Sequence, residues 1–323
     1  MNKSDAIYKI NRLALKKIPF LFVIDFDMKD SMVLTHEETE SEGIKYNFTG
    51  KTEIPFRDEA AKKILFKKHP VSYEKYLLSF NKIITNINNG NTYLLNLTLA
   101  TRIETNLTLE EIYNLSRAKY KLLIPGKFVV FSPETFVRIK KGKIYSYPMK
   151  GTIDAAIENA EEKILNDQKE FSEHTTIVDL IRNDLSMVAR NVSVEKFRYI
   201  DEISTNEKKL LQVSSVISGE LPHNYLNELG ELIFALLPAG SVTGAPKKKT
   251  IQIIKETEGY ERGYYTGVCG YFDGENLESA VMIRFIENID GTLYYKSGGG
   301  ITFQSDPQLE YQELIDKVYV PII

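Results

Sequence analysis

The chain has 323 residues, enough for one large domain or two ordinary ones with a substantial core. A net charge of −3, a pI near 6.0 and charges that alternate in sign argue against nucleic acid or an anionic membrane as partner. One cysteine excludes an internal disulfide framework, and no stretch has the length of a membrane span or the layout of a signal peptide, so a cytoplasmic setting is expected.

In chain order, residues 18–33 contain Phe20-Leu21-Phe22-Val23-Ile24, a buried-strand composition. Thr35 to Glu42 reads as a polar connection, with further strand-like pieces around Ile44 to Phe48. Tyr76, Leu77, Phe80, Ile83, Ile84 and Ile87 recur at helical spacing between Ser72 and Asn89, and Gly90 stops that helix. Tyr93, Leu95, Leu97 and Leu99 alternate as a strand does, and Thr108 with Glu111 has the spacing of a capping box opening another helix.

Phe136 to Ile139 and Ile144 to Tyr147 flank Lys140-Lys141-Gly142-Lys143 and read as a hairpin. Pro148 cannot donate to a ladder, so Lys150 is expected at a strand end, and Gly151 lets another group approach the backbone. From Asp154 to Arg190 the apolar positions follow helical faces, as two helices or one interrupted helix. Val213 to Glu220 reads as a strand, Leu226 to Leu236 as a helix ended by Pro238, and Lys249 to Thr257 as a helix.

The last third reads as three strands, Tyr264–Phe272, Glu278–Ile286 and Thr292–Lys296, joined by Asp273-Gly274-Glu275-Asn276 and Asp290-Gly291. A final helix opens at Asp306-Pro307. Strands come as hairpins rather than alternating with helices, so the fold class expected is α+β on antiparallel sheet. No repeat or flexible linker divides the chain.

Several residue groups carry possible chemistry. Glu170 and Glu173 sit i, i+3 on one predicted helix face, and Glu310 and Glu313 repeat that spacing on the last helix. These are either two solvated faces or, if opposed, a site for a hard cation such as Mg²⁺. Lys317, four residues after Glu313, is either its helix partner or a cation for a substrate carboxylate. His174 has no His-x-x-x-His partner, which sets zinc aside.

Gly298-Gly299-Gly300, read as lying between a strand and the last helix, is a flexible turn or a cradle of exposed amides for an anionic oxygen. Residues 238–247, Pro-Ala-Gly-Ser-Val-Thr-Gly-Ala-Pro-Lys, lack the phosphate-loop spacing but can offer a hydroxyl and amides. Arg284, inside an apolar run, needs an anion, from the protein or from a ligand. Glu134 precedes the hairpin and can approach Lys150 across it. Cys269, in Val268-Cys269-Gly270, reads as a small buried hydrophobe.

Taken in order, these stretches resemble the chorismate-utilising enzymes from about Gly90 to Lys317. The matching pieces are Gly90-Asn91-Thr92-Tyr93 with Asn96-Leu97-Thr98, Ser132-Pro133-Glu134, Pro148-Met149-Lys150-Gly151-Thr152, and Glu173-His174 with residues 178–184. Residues 240–247, Tyr265, Arg284, Gly298 to Ile301 and Ser305-Asp306-Pro307 with Glu310, Tyr311 and Glu313 complete the set. A lysine at 150 resembles the aminodeoxychorismate synthase component I branch, where anthranilate and isochorismate synthases carry a small or apolar residue.

The resemblance implies a chorismate-binding-enzyme fold of two packed, mainly antiparallel sheets flanked by helices. It implies one catalytic unit over 1–323, in which 1–89 is a shortened N-terminal part and 90–323 the motif-bearing core. The shortening argues against feedback control by tryptophan. The implied reaction converts chorismate and ammonia to 4-amino-4-deoxychorismate, for 4-aminobenzoate and folate synthesis, through a covalent Lys150 intermediate with Glu134 as general acid. A desolvated pocket is expected to lower the Lys150 pKa.

Glu173 and Glu313 match direct Mg²⁺ ligands, with Glu170 and Glu310 supporting. Thr152, Thr243, Gly244, Tyr265, Arg284, Gly298, Gly300 and Lys317 match substrate contacts, with Tyr265 and Arg284 aimed at the enolpyruvyl group. Ammonia is expected from a separate glutamine amidotransferase subunit or as free ammonia, and 4-aminobenzoate from a second enzyme. Asn91, Leu94, Leu95, Lys248 and Lys249 depart from the family pattern. An anthranilate or isochorismate synthase, or a non-catalytic carboxylate-binding partner of an amidotransferase, are the alternatives.

Overall fold

The structure, a computed structural model, describes residues 1–48, 64–204 and 209–321. In chain order the first elements are α1 (Lys3–Leu15), β1 (Phe20–Ile24), β2 (Ser31–Thr35), α2 (His36–Ser41), β3 (Lys45–Asn47), β4 (Phe66–His69) and α3 (Tyr73–Asn88). Then come β5 (Leu94–Thr105), α4 (Leu109–Leu115), β6 (Tyr120–Ile124), β7 (Phe128–Ser132), β8 (Thr135–Lys140), β9 (Lys143–Ser146) and β10 (Met149–Asp154). The middle holds α5 (Ala160–Asn166), α6 (Gln168–Ser186), β11 (Arg190–Ser204), β12 (Lys209–Glu220), α7 (Leu229–Ala235), β13 (Gly244–Ala245) and α8 (Lys247–Glu258). The chain closes with β14 (Val268–Phe272), β15 (Leu277–Val281), β16 (Phe285–Ile289), β17 (Thr292–Ile301) and α9 (Pro307–Asp316).

The strands form two sheets with antiparallel pairings throughout. The first runs β10-β12-β9-β8-β15-β14-β1-β2; β12 pairs with β11 along one side and with β9 and β10 in succession along the other. The second runs β13-β5-β17-β16-β7-β6-β3, with β4 also on β5. Strand periodicity explains how they stack. Phe20, Phe22 and Ile24 of β1 pack outward with Ile10 of α1, Ile181 of α6 and Ile233 of α7. Leu21 and Val23 point the other way, into Leu122, Phe128 and Phe285 of the second sheet.

On that sheet's far face, Leu95, Leu97 and Leu99 meet Tyr76, Phe80 and Ile83 of α3 and Ile253 of α8. The order helices, sheet, sheet, helices is the expected α+β architecture. No helix among the described residues is long and apolar enough to cross a membrane.

The structure departs from several local expectations. The polar stretch after Thr35 is α2, because Thr35 and Glu38 close a reciprocal capping box. Lys150 does lie at a strand end, but at the start of a new one: after Pro148 the chain re-pairs with β12 further along as β10, with Lys150 its second residue. The run Glu278–Ile286 is two strands in different sheets; β15 ends at Val281 and the chain crosses over at 282–284, where Arg284 has φ 52°. The expected three-strand meander is therefore four strands, and Tyr264 to Gly267 lies outside β14. Gly298 to Gly300 is paired strand, each residue opposite Thr98, Leu97 and Asn96 of β5.

One buried ion pair ties these parts together. Arg262 donates through Nε and Nη2 to both Glu258 oxygens, at 2.8 and 2.6 Å, with the side chains only 2% and 1% exposed. The same guanidinium donates to the carbonyls of Val242 (2.8 Å) and Asn96 (2.7 Å), while Glu258 accepts from the Thr98 amide and hydroxyl. Replacing one partner leaves a buried charge without its counter-ion. Glu258→Ala is therefore expected to cost about 3–5 kcal/mol of unfolding free energy in urea titration, more than an exposed pair such as Lys45–Glu110.

Candidate functional site

The bend after Pro148 creates the site. Lys150 pairs with Val213 and Thr152 with Gln212, leaving Gly151 as the extra residue of a bulge, with φ +71°. A side chain at Gly151 would meet the Glu170 carboxylate, since a Cβ would lie 2.9 Å from Oε2. Lys150, Gly151 and Thr152 consequently all line one cavity of about 710 Å³ between α6 and β10 on one side and β17 and α9 on the other.

Every site residue singled out from the sequence lines this cavity: Lys150, Glu134, Thr152, Thr243, Gly244, Tyr265, Arg284, Gly298, Gly300, Lys317 and the glutamates at 170, 173, 310 and 313. On α6 the helical spacing puts Glu170 in the first turn and Glu173 one turn on, both on the cavity lining; α9 brings Glu310, buried, and Glu313, exposed, to the same lining.

Lys150 Nζ lies 2.5 Å from Glu173 Oε2, the glutamate being 6% exposed. The expected depression of the Lys150 pKa does not hold. Burial does pull it down, but Glu173, with Glu170 and Glu313 behind it, raises it on balance and holds the ammonium charged. Glu310 accepts a hydrogen bond from the Ser305 hydroxyl at 2.7 Å, and Glu313 pairs with Lys317 at 2.6 Å. Lys317 also donates to the Gly298 carbonyl at 2.9 Å.

The glycine run lets these groups come close. A Cβ at Gly300 would stand 3.6 Å from Lys150 Nζ, and one at Gly298 would sit 2.6 Å from the Leu97 carbonyl. The cavity floor here is bare backbone.

Glu134 accepts a hydrogen bond from the Ser241 hydroxyl, and its pKa is raised: burial outweighs Ser241 and the more distant charges of Arg284, Lys317 and Lys150. Glu134 thus favours its proton where Lys150 favours its charge. Thr243 spends its hydroxyl on the Ala239 and Gly240 carbonyls, so it shapes the loop, and Gly244 presses on the Leu94 carbonyl at φ +136°. Thr152 is exposed at the rim, and Tyr265 is buried with its phenol pKa raised by burial.

Arg284 forms no salt bridge to a carboxylate among the described residues; its guanidinium lies 5.6 Å from the Tyr319 ring. Ser241 and Tyr319 escaped the sequence reading of single residues. Ser241 was legible only as a hydroxyl in the 238–247 loop, and nothing in sequence spacing marks Tyr319. His174 is buried, bonds Ser215 at 2.7 Å, and is depressed to about 4 by burial with Arg198 and Lys150, so it is a neutral packing residue.

Four carboxylates on two helices offer hard oxygen donors only, which suits Mg²⁺ and not a softer metal. Among the described residues no three acidic or histidine side chains already converge as a closed cage. A rim of carboxylates with open positions is what Mg²⁺ retaining water or substrate oxygens needs.

The chain matches the family model of chorismate binding enzymes over residues 16–322. It is 47% identical over 316 residues to an uncharacterised PabA-like protein of Haemophilus influenzae, covering 98% of this chain and 96% of that one. It is 32% identical over 264 residues to aminodeoxychorismate synthase component 1 of Klebsiella aerogenes, covering 77% of this chain and 57% of that longer protein. In structure it resembles a putative 2,3-dihydroxybenzoate-specific isochorismate synthase from Bacillus anthracis, with a TM-score of 0.72 over 98% of this chain and 87% of the other at 18% identity.

The raised pKa of Glu134 has a thermodynamic signature. Between the ordinary carboxylate range and its higher folded value, the native state keeps a proton that the unfolded chain has released, so stability falls as pH rises through that window. Glu134→Gln removes the titration. The variant is expected to melt higher than the parent above that window and to lose the difference below it, measured by thermal unfolding across pH.

Proposed function

The chain belongs to the chorismate-binding enzyme family, and within it we propose the aminodeoxychorismate synthase component I reaction: chorismate and ammonia to 4-amino-4-deoxychorismate, serving 4-aminobenzoate and folate synthesis. The observation that carries this reading is Lys150, a primary amine on a bulged strand lining the cavity, 2.5 Å from Glu173 and on the side of Gly300 where a side chain would otherwise stand.

Lys150 attacks as the neutral amine, so its ammonium, paired with Glu173 at rest, must first release a proton to solvent. Nζ then bonds to a ring carbon, the ring double bonds shift, and the bond to the 4-hydroxyl breaks. The departing oxygen takes a proton from Glu134, whose burial favours the protonated form, and leaves as water rather than hydroxide. Ammonia next bonds at carbon 4, the double bonds shift back, and the lysine leaves with its electron pair.

Arg284 and Lys317 supply charge for substrate carboxylates, while Gly298 and Gly300 keep that wall free of side chains. Glu173 and Glu313 would hold Mg²⁺ directly, with Glu170 and Glu310 supporting. When bound, the metal supplies positive charge that neutralises the ring carboxylate. Cys269 is buried with its thiol pKa pushed up, so it does not serve as a glutaminase nucleophile. Ammonia then comes from a separate glutamine amidotransferase subunit or directly from solution.

Chorismate incubated with ammonium and Mg²⁺ is expected to yield 4-amino-4-deoxychorismate, identified by mass; accumulation of anthranilate or isochorismate overturns the reading. Lys150→Ala is expected to lower amination by at least about a hundredfold with the melting temperature retained. Glu313→Gln is expected to move the Mg²⁺ titration of activity to higher concentration, and an unshifted titration removes Glu313 from the ligand set.

A further inference from the structure

Beyond α9 the chain stays at the cavity. Val318 is buried with Ile286 and Tyr295, and the Pro321 carbonyl accepts a hydrogen bond from the Arg117 amide at 2.9 Å. Residues 317–321 therefore form a strap anchored on both sides of Tyr319. Tyr319 lines the cavity, 46% exposed, with its ring 5.6 Å from the Arg284 guanidinium carbon. Tyr295 of β17 is wholly buried beside Arg284 and the backbone of Tyr319.

Arg284 needs such support. It sits at φ 52° in the crossover between sheets, flanked by β15 and β16 but belonging to neither. A guanidinium paired with a protein carboxylate would be held in place and neutralised at once. Against Tyr319 it is held by the ring and by the phenol hydroxyl, while its charge, matched by no carboxylate salt bridge among the described residues, remains available to a ligand.

We infer that Tyr319 is the positioning residue for Arg284: its ring holds the guanidinium in place for the enolpyruvyl carboxylate, making the strap after α9 a substrate-recognition element. This rests on the chorismate reading above. The positioning concerns binding of the ground state as much as the transition state, so it belongs in KM rather than kcat.

The test measures equilibrium binding of chorismate without ammonia, and steady-state amination, on the full chain. Tyr319→Ala is expected to weaken chorismate binding and raise KM roughly tenfold, with kcat within about twofold. Tyr319→Phe, which keeps the ring and loses only the phenol oxygen, should bind more tightly than Tyr319→Ala and at most slightly less tightly than the parent. Tyr319→Leu, which fills space without a ring face, should behave as Tyr319→Ala; parental binding by Tyr319→Leu or Tyr319→Ala overturns the inference. Arg284→Ala separates the two levels. If it weakens chorismate binding and Tyr319→Ala does not, the inference alone fails; if Arg284→Ala binds chorismate as the parent does, the assignment of Arg284 to the substrate fails and takes the inference with it.

Discussion

The cavity depends on the buried contact between Glu258 and Arg262. Its members come from the end of α8 and the loop beyond it, yet the groups it grips are the Val242 carbonyl, the Asn96 carbonyl and Thr98. Those groups belong to the loop that presents Ser241 and to the strand that pairs with the glycine run. Buried charge must be satisfied on every side, and each satisfied atom here fixes one wall of the site. Lys296 extends the network, donating to the Arg262 carbonyl and pairing with Glu287.

Within that frame each charge has its own surroundings. Carboxylates come from α6 and α9, one turn apart on each helix, while Arg284 lies against the Tyr319 ring. Lys150 lies among the carboxylates. That placement keeps it charged at rest, against the simpler expectation that a buried lysine turns neutral, because coulombic attraction from nearby acids exceeds the desolvation cost. Glu134, surrounded by more distant cations and one hydroxyl, falls on the other side of the same balance. Two groups that both lose solvent thus end with opposite charge tendencies.

Much of this was legible in the sequence. Helical spacing found both glutamate faces, turn chemistry found the β8–β9 hairpin, and the ordered motifs found residues that meet in one cavity. What escaped was what depends on partners distant in sequence. A break between β15 and β16 cannot be seen in Ser279-Ala280-Val281-Met282-Ile283-Arg284-Phe285, because apolar residues suit either sheet and only the crossover separates them. The glycine run looked like a turn since β5, its pairing partner, lies about two hundred residues earlier by chain position. The Lys150 charge depended on how near Glu173 comes, which no spacing states.

That glycine run has a further consequence. A floor made of peptide groups on a paired strand has no side chains to exchange, so its shape is inherited with the sheet register and not with residue identity. Chemical variety on such a scaffold has to arise from the facing wall, where the bulge at Gly151 presents a replaceable side chain at position 150. The architecture therefore separates what is held constant, the outline of the cavity floor, from what can diverge, the side chain that faces it.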